Sequence, residues 1–309
     1  MRLLMLAVIG GALTGVVYAL AALGLVVVYR ATRILNFAHG AMGMLSAYVF
    51  GRWLYQPDSF LVHAFGANHP LRSKVAALLL TLVFAIGLGL VVERAVIRPL
   101  KDTSILTKVI ATLAFLTVLQ YLAGAIFGDA TYFFASIFTN GSQQLGVLDV
   151  GITSVPYSAL YNVVVTAAIV LGLTLFLRFT KLGTALRAVS NDPDAAGLAG
   201  INVTRVNQVA WVLGSVLAAV AGLLLIPDTN LNTFTLTLTV ILYGVGAAVF
   251  GGLVSLPLTL LGGIFLGIAT AIARAYAPSD LPGLDYVVGF LIVILVLSVR
   301  RDITVGVLQ

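Results

Sequence analysis

The chain has 309 residues, of which 61% are hydrophobic and only 9% charged, with a mean hydropathy of +1.11. Water-soluble domains average nearer half apolar and a quarter charged, so this composition excludes a soluble globular protein and makes lipid the solvent. The formal charge of +6 then reads as basic loops on one side of a bilayer rather than a nucleic-acid surface. The absence of Cys excludes disulfides, thiol chemistry and zinc–thiolate sites.

A spanning helix needs about 20 apolar residues. Apolar runs predict spans at residues 3–28, 37–55, 75–92, 105–127, 160–177, 209–226, 234–253, 256–273 and 281–299. The first run is too long for a signal-peptide core and is expected to be a span. The second opens on Asn36-Phe-Ala-His-Gly40 and meets Arg52, so the expectation is eight or nine spans. The fold class is all-α, a polytopic transmembrane helical bundle forming one domain over residues 1–309. With nine spans, twelve Lys and Arg residues fall on one side and five on the other. The twelve are Arg30, Arg33, Arg94, Arg98, Lys101, Lys108, Arg178, Lys181, Arg187, Arg205, Arg300 and Arg301. That side is expected to be cytoplasmic, which puts loop 178–206 inside and segments 56–73 and 128–158 outside. In the second of these, Asn140-Gly141 between 133–138 and 145–152 signals either a β-hairpin cap or an ordered loop.

Small residues recur at four-residue spacing at Gly11 and Gly15, at Gly214, Ala218 and Gly222, and at Gly263 and Gly267. Such faces let helix backbones approach closely in lipid. Gly244, Gly246, Gly251 and Gly252, with Ser255 and Pro257 following, mark either a broken span or a plain turn between two spans.

Residues 181–205 form a polar, net-basic island between apolar runs. Asp192 suits an N-cap, Pro193 the first helical position and Asp194 the positive end of the helix dipole. Gly200 is placed to stop that one short helix, with Ala195, Ala196, Leu198 and Ala199 between the caps. A short capped helix held outside the bilayer is a docking element.

The chain lacks the Gly-x-x-x-x-Gly-Lys-Ser/Thr phosphate loop, so it is expected to have no ATPase site of that kind and to bind no cofactor. His39, His63 and His69 form no His-Glu-x-x-His pattern; His63 and His69 are expected on solvated surface, and no metal site is expected. Glu93 is expected in a surface ion-pair cluster with Arg94 and Arg98. No charge falls in the middle of a proposed span, which argues against proton-coupled transport. Uncharged polar groups do occur in or beside spans: Thr14, Tyr18, Asn36, His39, Thr112, Thr117, Gln120, Thr235, Thr237, Thr239 and Tyr243. Interhelical bonding and lining of a solute path both account for them. A neutral, hydroxyl-rich lining suits a small polar or zwitterionic solute.

Several segments resemble permease subunits of branched-chain amino-acid ABC importers. They are Tyr18-Ala-Leu-Ala-Ala-Leu-Gly-Leu25 with Asn36-Phe-Ala-His-Gly40, Glu93-Arg-Ala-Val-Ile-Arg-Pro-Leu100, and Ile110-Ala-Thr112 with Leu119-Gln120. The island from Arg187 to Ala196 followed by Gly200-Ile-Asn202, and the late glycines Gly251-Gly252 and Gly262-Gly263, complete the set in family order. The resemblance implies a type II-like importer permease in a bacterial or archaeal cytoplasmic membrane. It implies four kinds of partner: a homologous permease subunit, two cytoplasmic ATPase subunits that use the ATP, an external solute-binding protein, and the lipid bilayer. It implies ATPase coupling through Arg187, Asp192, Asp194, Ala195, Ala196 and Gly200, and alternating access along a path including Thr14, Tyr18, Asn36, His39, Thr112, Gln120 and Tyr243. Many relatives carry an acidic residue directly after the Asn-Phe-Ala-His-Gly run, where this chain has Ala41. Urea and short-amide permeases look similar, so both solute classes stay open. A stand-alone secondary transporter or channel for small neutral solutes is a rival reading. An intramembrane enzyme would need convergent catalytic groups, and His39 has no evident acid or metal partner.

Overall fold

The computed structural model describes residues 1–55, 70–128, 147–149, 154–229, 231–278 and 283–299. In chain order the helices are α1 (Arg2–Thr32), α2 (His39–Tyr55), α3 (Pro70–Val91), α4 (Ile105–Phe127), α5 (Tyr157–Phe179), α6 (Lys181–Asn191), α7 (Pro193–Leu198), α8 (Val203–Thr229), α9 (Thr233–Phe250), α10 (Leu256–Tyr276) and α11 (Leu284–Val299). A π-helical turn (Val92–Ile97) and a 3₁₀ turn (Arg98–Leu100) extend α3. Two short strands, β1 (Val147–Asp149) and β2 (Ser154–Pro156), pair antiparallel just before α5. The segment at Asn140-Gly141, expected as either a β-hairpin cap or an ordered loop, lies outside the described residues. The strand inside 145–152 pairs forward onto β2, with Leu148 opposite Val155.

Among the described residues, seven helical segments are long and apolar enough to cross a bilayer. They are α1, α3 with its extension, α4, α5, α8, α9 and α10. The count is below the expected eight or nine, because α2 has 17 residues and α11 has 16. For α2 the reason is its surroundings. Every residue from His39 to Gly51 is buried except the half-buried Val49. A helix enclosed by protein needs no continuous apolar surface, and α2 carries Gly40, Ala41, Gly43, Ser46 and Ala47 in its place. The outer surface belongs to other helices. Exposed Ile110, Tyr121 and Ile126 on α4, Val164, Leu171 and Leu175 on α5, and Phe290 and Leu295 on α11 face outward, as a lipid-solvated bundle requires.

The small-residue faces find one another. A Cβ on Gly11 would lie 2.5 Å from the Gly267 carbonyl oxygen, and one on Gly15 would lie 2.6 Å from that of Gly263. A Cβ on Gly263 would sit 2.5 Å from the Ala19 nitrogen. Thus α1 and α10 touch backbone to backbone over two turns. The α8 face does the same with α2: a Cβ on Gly43 would meet the Ala218 carbonyl at 2.6 Å, and one on Gly222 the Gly43 carbonyl at 2.6 Å. Gly214 packs on Val28 of α1. Helices in lipid gain little from apolar burial, so such close contact supplies the dispersion energy that holds them.

The crowded glycines near 251 make a plain turn between two intact helices. Gly252 and Leu253 have positive φ (69° and 59°). Ser255 caps α10, its Oγ accepting from Leu258 N at 3.4 Å, and Leu253 shares one buried apolar cluster with Ala22, Leu25, Val26 and Tyr29. This turn therefore lies at the C-terminal end of α1. So do the π-helical turn, the start of α4, the end of α5, α6 and the start of α8, which share cavities or hydrogen bonds with Arg30, Thr32 and Arg33. We call this the basic end.

Glu93 departs from its expected surface position. It is buried, and both its oxygens accept from Arg98, at 3.0 Å from Nε and 2.7 Å from Nη2. The π turn closes hydrogen bonds between residues five apart, which stacks Arg98 on Glu93.

Gly263→Leu is expected to force α1 from α10 and lower the thermal midpoint of the detergent-purified protein, at a cost of at least the ~1–3 kcal/mol of ordinary overpacking. Gly172→Leu, whose Cβ meets nothing within 4 Å, is expected to leave the midpoint unchanged.

Candidate functional site

The polar island folds as two helices rather than one, joined by three caps in series. Thr180 Oγ1 donates to Phe176 O at 2.7 Å and accepts from Gly183 N at 2.9 Å, closing α5 and opening α6. Gly183 lets α6 fold tightly back on Phe176 and Leu177. Asp192 N donates to Ala188 O at 3.0 Å, while its Oδ1 accepts from Asp194 N and Ala195 N, both at 2.9 Å. Asp192 therefore ends α6 and starts α7, with Pro193 in the first turn as the sequence suggests. Gly200 (φ 84°) turns the chain out of α7, and Asn202 Oδ1 accepts from Arg205 N at 3.0 Å to open α8.

This unit has an inside and an outside. Gly183, Leu186, Val189 and Ser190 form the buried stripe of α6. Ala196 is the buried residue of α7, 5% exposed and part of the main apolar cluster. It anchors the helix from beneath and so is not on the outer surface. Asp192, Asp194, Ala195 and Gly200 are exposed, as is Arg187 on α6. Leu198, named between the caps but not among the expected coupling residues, is 92% exposed. An apolar side chain bared to water at the tip of a polar island was the available signal. Arg33, with φ 57°, donates from Nη2 to Ser190 O at 3.0 Å and ties the end of α1 to the unit.

The seven expected path residues fall in three places. Tyr18 and Tyr243 pack in the core with ring centroids 4.5 Å apart, and Tyr286 stacks on Tyr243 at 6.0 Å. Thr14, one turn before Tyr18, lines a cavity of about 160 Å³ with Ser158, Asn162 and Pro227 at the end opposite the basic one. A second place is the start of α2. Phe37 N donates to Thr112 Oγ1 at 3.2 Å, and Asn36 Nδ2 contacts Met42 Sδ at 3.5 Å. His39 is fully buried against Gly24 of α1. Its ring faces the Ala21 backbone without hydrogen-bond geometry, and Asn36 Oδ1 is likewise unmatched. In the third place, Gln120 Nε2 donates to Thr233 O at 3.4 Å. The threonines of α9 mostly satisfy themselves: Thr237 and Thr239 donate to the carbonyls of Thr233 and Thr235 at 2.7 and 2.8 Å. Ala41 is fully buried, a packing position in this chain.

One ion pair near the tyrosines was not anticipated. Asp285, 5% exposed, accepts from Arg274 Nε and Nη2 on its Oδ2. It joins the end of α10 to the start of α11, opposite the basic end.

The seven spanning segments and the outward apolar surface define a multi-pass α-helical membrane protein. The chain belongs to the family described as branched-chain amino acid transport system / permease component, whose model matches residues 7–297. It is 31% identical over 293 residues to the high-affinity branched-chain amino acid transport system permease protein LivH of Escherichia coli K12, covering 94% of this chain and 91% of that protein. It is 30% identical over 294 residues to BraD of Pseudomonas aeruginosa, a permease protein described in the same words, covering 94% and 92%. Among solved structures, PsaBC from Streptococcus pneumoniae in complex with Fab aligns over 93% of this chain and 90% of that one, with a TM-score of 0.46 and 14% identity.

Asp192→Ala is expected to cost α7 about 1 kcal/mol, read as about fivefold faster amide exchange over residues 194–199 with α8 unaffected. Arg274→Ala strands a buried carboxylate. Because the Arg274 side chain is 61% exposed, solvent screening is expected to hold the loss to about 1–2 kcal/mol. A thermal melt with Asp285→Asn added to Arg274→Ala should recover part of it.

Proposed function

We propose that this chain is the membrane-spanning permease subunit of an ATP-driven importer of branched-chain or related amino acids, working by alternating access. The basic end faces the cytoplasm, in keeping with the excess of Lys and Arg there. The permease pairs with a homologous subunit, receives solute from an external binding protein, and is driven by two cytoplasmic ATPase subunits. The membrane is the cytoplasmic membrane of a bacterium or archaeon.

The observation that carries this reading is the α6–α7 unit. Three caps make it stiff, Arg33 fastens it to α1, and it presents Arg187, Asp194, Ala195 and bare Leu198 to the aqueous side. A soluble subunit that changes shape on nucleotide binding could push such a handle without melting it. Ala196 serves as the buried anchor and Gly200 as the exit turn. The chain itself supplies no phosphate loop, so the energy comes from the partner. Of the path residues, Thr14 lies at the outer cavity, where solute would arrive, and Tyr18 and Tyr243 lie beyond it in the core. Asn36, His39, Thr112 and Gln120 border the path from the other two clusters.

Leu198→Asp is expected to abolish solute-stimulated ATPase activity and uptake in proteoliposomes holding the full transporter, with the permease still inserted and thermally intact. Leu198→Met should retain both. Full uptake by the Asp variant, or uptake by this chain reconstituted alone, would overturn the coupling role. Uptake of urea or a short amide without leucine uptake would overturn the solute assignment.

A further inference from the structure

The cavity of about 160 Å³ opposite the basic end holds hydrogen-bonding groups that the fold does not use. Its rim is exposed at Gly10, Pro156 and Pro227, and its floor is the buried Asn162. It therefore opens where α5 starts and α8 ends, and it has room for several waters or one small solute. Thr14 and Ser158 line it, and among the described residues neither side chain makes a hydrogen bond. Other helical threonines behave differently: Thr81, Thr174 and Thr237 each donate to the carbonyl four residues back. Asn162 donates from Nδ2 to Leu224 O at 3.3 Å, which leaves its Oδ1 free to accept. Thr166, one turn further along α5, is fully buried with its hydroxyl unmatched. Unmatched polar groups inside a membrane protein cost free energy that a polar ligand offsets.

Among the described residues no charged side chain lines the cavity, so its field comes from two helix ends. Pro156 is the N-cap of α5 and no side chain caps that helix, which leaves its first N–H groups unsatisfied. Across the cavity, Pro227 lies in the last turn of α8 and has no N–H, which frees the Leu223 carbonyl in addition to the terminal ones. A helix start carries roughly half a positive charge and a helix end roughly half a negative one. We propose that this cavity binds a zwitterionic amino acid, with its carboxylate on the start of α5 and its ammonium toward the end of α8. The inference rests on the importer reading above and assigns that importer's outer subsite. The hydroxyls of Ser158 and Thr14 would donate to the carboxylate, and Asn162 Oδ1 would accept from the ammonium. Leu13 and Ala159 supply apolar wall for an aliphatic side chain. A solute with one net charge would satisfy one helix end and oppose the other, whereas a zwitterion satisfies both.

Because the chain has no Cys, a single introduced thiol reports on the cavity alone. Ala159→Cys is placed in the full transporter in proteoliposomes, and its reaction with a small methanethiosulfonate is followed by mass spectrometry of this chain. Leucine uptake by the same preparation is measured in parallel. Leucine at about ten times its dissociation constant is expected to slow the reaction roughly tenfold by mass action. Leucinamide, which lacks the carboxylate, and isocaproate, which lacks the ammonium, are expected to leave it unchanged. Adding Thr14→Val or Ser158→Ala should raise the leucine concentration for half-protection about fivefold, the worth of one hydrogen bond, without moving the thermal midpoint. Thr14→Ser should retain protection. Leucine import without protection, or a thiol that does not react even without solute, would overturn the site and leave the importer reading standing. Equal protection by isocaproate or leucinamide would overturn the zwitterion assignment. Protection by leucine without leucine import would keep the site and overturn the importer reading, and the absence of both would overturn both.

Discussion

The architecture depends on the backbone contact between α1 and α10. In water, two helices are driven together by the apolar area they hide. In lipid that gain nearly vanishes, and cohesion must come from atoms placed close enough to attract. Gly11, Gly15, Gly263 and Gly267 provide that closeness, with carbonyl oxygens of one helix where the Cβ atoms of the other would be. The same solution recurs where Gly43 of α2 meets Ala218 and Gly222 of α8. With α1 fixed to α10, α2 fixed to α8 and α9 packed on them in the core, other helices are left to cover the outside. Helices α4, α5 and α11 do so with broad leucine, isoleucine and valine surfaces.

Enclosing α2 has a chemical consequence. A helix surrounded by protein can carry polar groups that a lipid-facing one cannot, and the start of α2 holds Asn36 and His39. Part of their hydrogen-bonding capacity is unmatched, which costs free energy in a low-dielectric interior. Such a cost is tolerated where a group has a task beyond packing, or where another state of the protein supplies the partner. In the proposed alternating-access cycle, a second state would supply such partners.

Local chemistry was legible in the sequence and distant pairing was not. Asp192-Pro193 could be read as a helix start because a cap is made by atoms within three residues, and Gly200 as a stop for the same reason. Helix α6 was missed: its buried stripe of Gly183, Leu186, Val189 and Ser190 carries few strong hydrophobes and is hidden in a polar run. The spacing of small residues showed which helix faces would pack, but not that Gly15 would meet Gly263. Glu93 was expected at the surface because it ends a span beside Arg94 and Arg98, whereas the π turn brings Arg98 over it and it is buried. Tyr18 and Tyr243 meet while Gln120 sits apart, an outcome set by how α1, α4 and α9 are arranged in space. Arg274 and Asp285 sit on different helices, α10 and α11, and only the packing of those helices brings them together.

These contacts also determine how a push at the basic end would travel. The bond from Arg33 to Ser190 is made by a residue in the left-handed region, a conformation that costs a non-glycine residue of order 1–3 kcal/mol unless its surroundings hold it. Its own N–H is bonded to Tyr29 O at 2.7 Å, which fixes it as the C-cap of α1. Arg33 is thus held from both sides, by α1 and by α6. Since α1 cannot slide along α10 without driving glycine Cα atoms into carbonyl oxygens, a displacement of α6 has no soft joint in which to dissipate at that seam. Under the proposed coupling it would move α1 and α10 together, and with them Tyr18, which packs on Tyr243 of α9. The short path from Leu198 at the aqueous surface to the tyrosines in the core therefore runs through one hydrogen bond and one glycine-lined seam.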